Sequence, residues 1–253
     1  ESIATGGLLA LSADDGHQVV LVLATRGEQG EPQPGVLDEG EPLWQRRVQE
    51  THRSAEVLGI HGVHFLGYED SGMIGEPTND NPACFWQADV EEAALRLAAI
   101  LREVECEVLT VYDENGGYGH PDHIQVHRVG RRAAELAGVE RVFEGTMNRD
   151  QMREMMSSIP AEELGDEFDD VDRNIDPDTF GTPEAEITHA IDVTAAIDRK
   201  RASMEAHRSQ ISDDSFFMKM PIEMFAVAFG TEWFIRSGHT RPEGAPFGTS
   251  LFD

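Results

Sequence analysis

Two hydrophobic periodicities alternate along the chain. Residues 18–25 and 108–111 are short, nearly continuous apolar runs, as expected of strands buried on both faces of a parallel sheet. Between them, residues 43–58 and 89–103 repeat apolar positions at helical spacing; Ala93, Ala94, Leu97, Ile100 and Leu101 line one face of the second. A helix over residues 2–11 that stops at Asp14-Asp15-Gly16, a strand at 63–66 and a helix running from about His120 to Ala137 extend the alternation, followed by a strand at 141–146 and a short Met-rich helix at 149–158. This order predicts an α/β fold: a Rossmann-like, doubly wound, mainly parallel sheet with helices on both faces. One domain over 1–253 is expected, with a core at 1–145 and a small C-terminal α+β extension at 146–253. In the extension the pattern predicts an edge strand at 187–193, a helix over 195–211 containing His207, an apolar final helix over 220–234 and a loosely ordered tail from His239.

Polar loops follow three successive strands. In such a sheet these C-terminal strand ends gather along one edge, so residues 26–31, Asp70 and the segment His120 to His123 should converge on a ligand crevice. The densest chemistry is Tyr112-Asp113-Glu114-Asn115-Gly116-Gly117-Tyr118-Gly119-His120-Pro121-Asp122-His123, a strand end, a glycine loop and a helix start. Pro121 suits the first helical turn, where no intrahelical N–H bond is lost. His120, His123 and His127 can share a helix face. They cannot all hold one metal, because His120 and His127 are separated by roughly 10 Å of helix rise against about 2 Å for a nitrogen–zinc bond.

Composition narrows the partners. The net charge of −28 argues against nucleic acid and anionic membranes, which need a concentrated basic surface. No apolar run approaches the ~18 residues of a membrane span, and no secretory leader is expected. Cys84 and Cys106 are too few for a disulfide framework and lack metal-binding spacing, which fits a cytoplasmic setting. Residues 162–178 are densely acidic and read as a solvated loop or lid. Asp170, Asp172, Asn174, Asp176 and Asp178 alternate like a calcium loop, but Ile175 stands where the turn glycine belongs and Gly181 where the bidentate glutamate belongs.

These residues resemble the LmbE/PIG-L family of zinc-dependent N-acetylglucosaminyl deacetylases, in particular its actinobacterial mycothiol-pathway deacetylases and amidases. The segment from Tyr112 to His123 carries the resemblance nearly residue for residue. Residues 2–31, Arg47 and Asp70-Ser71-Gly72-Met73 add to it, and Ala206-His207-Arg208-Ser209-Gln210 resembles a C-terminal element of the family. The resemblance implies that His123 is a zinc ligand and that protonated His120 stabilises an oxyanion or assists the leaving amine. It further implies that Asp122 orients an imidazole, that Tyr118 donates a hydrogen bond to the tetrahedral intermediate, and that Arg47, Asp70 and Glu28 hold substrate.

The family's remaining histidine ligand, aspartate ligand and aspartate base lie on a strand directly before the glutamate that Glu1 resembles, and residues upstream of Glu1 are expected to carry them. The implied activity is zinc-dependent removal of the acetyl group from an N-acetylglucosamine-containing small molecule. An amidase of mycothiol-type conjugates is the alternative within that chemistry; a catalytically inactive sugar-binding relative is expected if the chain begins at Glu1. The substrate is thus an amino-sugar conjugate, and homo-oligomerisation stays open.

Overall fold

A computed structural model describes residues 2–158 and 180–253; the acidic segment 162–178, with its calcium-like alternation, lies outside them. The described elements are α1 (Gly6–Asp14), β1 (Val20–Leu23), α2 (Leu43–Leu58), β2 (Gly62–Phe65), α3 (Val90–Glu103) and β3 (Val108–Tyr112). They continue as α4 (Pro121–Ala137), β4 (Arg141–Thr146), α5 (Arg149–Ser158), β5 (His189–Asp192), α6 (Ile197–Glu205), α7 (Ile222–Phe229) and β6 (Thr231–Arg236). Local signals account for their ends. The Asp89 carboxylate accepts from Glu92 N at 2.9 Å to cap α3, and Gly59 and Gly138 close α2 and α4 in left-handed conformations, at φ 76° and 80°.

The strands form two sheets. β1 and β2 pair in parallel; β3, β4, β6 and β5 form a second sheet in that order, with β3 and β4 parallel and β6 antiparallel to both its neighbours. The fold is therefore mixed α/β, with the expected parallel pairings confined to β1–β2 and β3–β4. Strand alternation places helices on both faces of the larger sheet. Val111 and Val142 pack with Ala134 of α4, whereas Phe143 and Phe234 pack with Leu8 of α1. The α3–α4 layer is built on small residues, Ala93, Ala94, Ala98 and Ala133, around Phe85 and Val129.

Three C-terminal expectations are corrected. The helix proposed for 195–211 ends at Glu205, leaving His207 in the following turns. The apolar stretch 220–234 is divided: α7 stops at Phe229, and Thr231–Arg236 is a strand in which Glu232 and Phe234 are buried alternately with less buried neighbours. Period-two burial and a run of β-branched and aromatic residues favour the sheet there. The tail is packed, not loose: Leu251 is buried beside Phe143, and Arg241 donates to Ile187 O at 2.9 Å and Ala245 O at 2.8 Å. No helix among the described residues is long and apolar enough to cross a membrane.

Glu232 joins the extension to the first helix. Its carboxylate accepts from Gly7 N at 2.8 Å, Leu8 N at 2.9 Å and Lys200 Nζ at 2.8 Å, capping α1 from a distant strand. Burial pushes this carboxyl upward, while Lys200 and the two amides pull it back. Gly7 is also needed for packing beside this cap, since a Cβ there would lie 2.4 Å from Val193 Cβ. Lys200→Met should therefore leave Glu232 buried without its counter-charge, held by two amides alone, at a cost of about 3–5 kcal/mol in urea unfolding, and adding Glu232→Gln should recover much of it. A cost under about 1 kcal/mol for the single variant would contradict the importance assigned to this pair.

Candidate active site

The turn between β3 and α4 organises the site. Gly116, Gly117 and Gly119 take φ values of 63°, 74° and 88°, so the chain doubles back before entering the helix. At Gly116 the requirement is also steric: a Cβ would meet His123 Cβ and Ile124 N at 2.8 Å each. This approach lets the Gly116 carbonyl meet His123 Nδ1 at 3.1 Å. His120 is the N-cap of α4, its Nδ1 accepting from Asp122 N at 3.1 Å, an imidazole in the place usually taken by a hydroxyl or carboxylate. Pro121 occupies the first helical position, as expected.

Four rings stand together at this helix mouth. Tyr112 stacks on His123 with centroids 3.9 Å apart at 6°, and His120 lies 4.8 Å from His123 at 29°. Tyr118 presents its ring edgewise to His123 at 5.1 Å and to His120 at 6.2 Å. Burial, assisted by the nearby His120, holds the His123 imidazole down at about 3, so the ring is neutral at physiological pH. With Nδ1–H donated to Gly116 O, its Nε2 presents a lone pair. Burial likewise lowers His120, against the opposing charges of Asp70 and Glu76. Because His120 Nδ1 accepts the capping N–H, its neutral form carries the proton on Nε2. Desolvation pushes the Tyr118 phenol up, keeping it a donor.

The loops after β1 and β2 converge on this helix mouth. Asp70 accepts from Gln29 N at 3.3 Å and Gly72 N at 3.0 Å, and its own N donates to Glu28 Oε2 at 3.2 Å. Glu28 also holds Arg26 Nε at 3.0 Å, so its carboxylate braces both loops. Arg47 donates to Gly27 O at 3.1 Å, and its charge, with that of Asp70, acts on Tyr118 and His120. The structure thus brings the seven residues expected in the site together around the mouth of α4 and the loops after β1 and β2. The Asp122 carboxyl is engaged by Ser71 rather than by an imidazole: Ser71 N donates to Oδ2 at 3.1 Å and the Ser71 hydroxyl donates to Oδ1. Burial, with the nearby Asp70 adding to it, pushes Asp122 up to about 7 against the pull of Ser71.

Other candidates lie elsewhere. His127 is buried with its Nδ1 on Tyr112 O at 3.1 Å, bracing the strand end that carries the stacked Tyr112. The pattern Asp70-Ser71 was legible in the sequence; the contacts of Ser71 with Asp122 and of Tyr112 with His123 were not, since neither follows from local spacing. Among the described residues no group of three or more His, Cys, Asp or Glu is arranged to hold a metal. The neutral His123 ring, held by a backbone carbonyl on Nδ1 and so left with a lone pair on Nε2, fits a single metal-ligand position. In metal-free protein Asp122 should titrate near 7 by carbon NMR, and Ser71→Ala, which removes a donor to the charged form, should move it higher. A wild-type midpoint in the ordinary carboxylate range would contradict the burial argument.

Comparison with known proteins agrees with this geometry. The family model "PIG-L: GlcNAc-PI de-N-acetylase" matches residues 1–134. A 1D-myo-inositol 2-acetamido-2-deoxy-alpha-D-glucopyranoside deacetylase from Acidothermus cellulolyticus is 40% identical over 246 residues, covering 93% of this chain and 84% of its own length. The enzyme of that name from Nocardiopsis dassonvillei is 43% identical over 230 residues, covering 84% and 81%. Among solved structures, the N,N'-diacetylchitobiose deacetylase of Pyrococcus horikoshii superposes with a TM-score of 0.59 at 20% identity, over 96% of this chain and 83% of that one. A 4-carboxy-2-hydroxymuconate hydratase from Pseudomonas putida superposes as well, with a TM-score of 0.60 at 18% identity over 97% and 94%, so at this distance the fold alone does not name the chemistry. The chain belongs to the PIG-L family.

Proposed function

We propose that this chain is an amide hydrolase that removes the acetyl group from an N-acetylglucosamine joined to a polyol such as inositol, with zinc as its metal. The observation that carries the reading is His123: a half-buried imidazole, neutral and fixed through Nδ1, with Nε2 left to bind, beside a second imidazole at a helix N-terminus. The activities named for relatives at about 40% identity support the substrate class.

His123 would hold the zinc, together with ligands not found among the described residues. When bound, the metal supplies Lewis-acid activation of water and of the amide. The remaining work belongs to the chain. His120 offers its Nε2–H, and Tyr118 its phenolic O–H, to the carbonyl oxygen as negative charge develops there, at the positive end of the α4 dipole. This assigns the neutral form of His120 to oxyanion stabilisation, because a second proton on Nδ1 would break the cap. Arg47 and Asp70 orient the sugar hydroxyls, and Glu28 keeps their two loops together while presenting a further acceptor to substrate. Asp122, bonded to Ser71, fixes the first turn of α4 against the loop after β2. The two parallel strand pairs belong, in this reading, to one doubly wound layer within a single domain, since Val22 of β1 and Leu109 of β3 rest on the same α3–α4 cluster.

His123→Ala should lose bound zinc, and equal zinc content in wild type and variant would refute the ligand assignment. His120→Ala should retain zinc but lose turnover by about 10²-fold or more. Full activity in that variant would remove His120 from the mechanism.

A further inference from the structure

Asp113 is 1% exposed at the end of β3, and among the described residues its carboxylate is bonded by no arginine or lysine. Instead it reads out the turn that carries the reacting groups. Oδ1 accepts from Gly117 N at 2.8 Å and Asn115 N at 3.1 Å, gathering two amides of the left-handed glycine segment. Oδ2 accepts from the Thr146 hydroxyl at 2.6 Å, whose oxygen lies 2.8 Å from the Thr182 hydroxyl. Thr182 N donates to Met147 O at 2.9 Å, and the neighbouring Gly181 N donates to Gly117 O at 3.2 Å. Gly181 allows this closure: it sits at φ 62°, and a Cβ there would come within 2.4 Å of Met147 O. Gly117 is thus held on both sides, by Asp113 through its N–H and by Gly181 through its carbonyl.

The adjoining peptide is the one that matters chemically. Gly116 O receives His123 Nδ1 at 3.1 Å, and Tyr118 follows Gly117 directly. We infer that Asp113 is a positioning residue: by gathering the Asn115 and Gly117 amides, and by tying them through Thr146 to Thr182 on the C-terminal extension, it aims the Gly116 carbonyl at His123 and places Tyr118 over the crevice. A buried carboxylate with three donors and no cation is costly to keep unless its geometry is used. The same linkage makes the extension a structural support of the catalytic turn. This role rests on the amide-hydrolase reading above, but the tie itself does not.

Three variants and two readouts test it in the full chain. In Asp113→Ala, hydrogen exchange at the Gly117 amide should accelerate at least tenfold, and kcat should fall about 10- to 100-fold with KM little changed. Asp113→Asn should restore both to within a few-fold, since its amide oxygen still accepts from Gly117 and its NH2 can donate to Thr146. Thr146→Val, which removes the donor to Asp113 Oδ2 and the bridge to Thr182 and covers the case in which Asp113→Ala does not fold, should show the same two effects at smaller size. Unchanged Gly117 exchange in Asp113→Ala or, if that variant is unfolded, in Thr146→Val would overturn the positioning role. So would kcat losses that follow only the loss of melting temperature across all three variants, with no rescue by asparagine. Absence of amide hydrolysis by wild-type protein would defeat the proposed function instead, and the exchange measurement would still decide the tie.

Discussion

The site depends on one close approach, the seating of Gly116 against the first turn of α4. Only a residue without a Cβ can lie there, and its carbonyl then meets His123 Nδ1. The contact does two things at once. It fixes which nitrogen of His123 faces the crevice, and it forces the chain through left-handed conformations that bring Tyr118 back over the same helix mouth. With His120 capping the helix through its own ring, the positive end of α4 carries a surface of imidazole and phenol. That is an arrangement suited to oxygen atoms that gain negative charge.

Burial then sets the protonation states. The imidazoles are driven neutral and Asp122 is driven upward because all three are withdrawn from water at the mouth of α4. The loops after β1 and β2 are held by acids as well as by apolar packing: Glu28 to the Asp70 amide, Asp70 to the Gln29 and Gly72 amides, and Asp122 to Ser71. An acidic chain thereby uses part of its charge as internal acceptors for backbone donors, which satisfies irregular polypeptide that would otherwise be left unpaired. The buried Glu232 does the same for α1, and Glu50 for the chain at Ser209, where it accepts from N at 2.8 Å and Oγ at 2.6 Å.

Much of this was legible in the sequence wherever the determinants are local. Asp89 before α3, Gly59 after α2 and Pro121 in α4 place helix ends by chemistry that acts within a few residues, and the structure follows them. The crevice itself was legible because loops after parallel strands must face one edge, and Arg47, Asp70 and His120 do meet there. The extension was less so. Residues 220–234 are apolar enough for either a helix or a strand, and the choice is made by Glu232 reaching α1 and by Phe234 entering the core opposite Phe143. Nor does any local breaker mark the end of α6; the turns at 206–210 are held by Glu50, more than 150 residues earlier in the chain. The partner of Asp122 was also out of reach, since Ser71 finds it across 51 residues.

The central claim is that these groups cleave an amide on an amino sugar. Zinc-supplemented protein incubated with 1D-myo-inositol 2-acetamido-2-deoxy-alpha-D-glucopyranoside tests it directly, with acetate and free primary amine quantified together. Their appearance in equal amounts, dependent on enzyme concentration, is the expected result. Intact substrate in the presence of protein that demonstrably binds it would contradict the account and leave the crevice as a sugar-binding site alone.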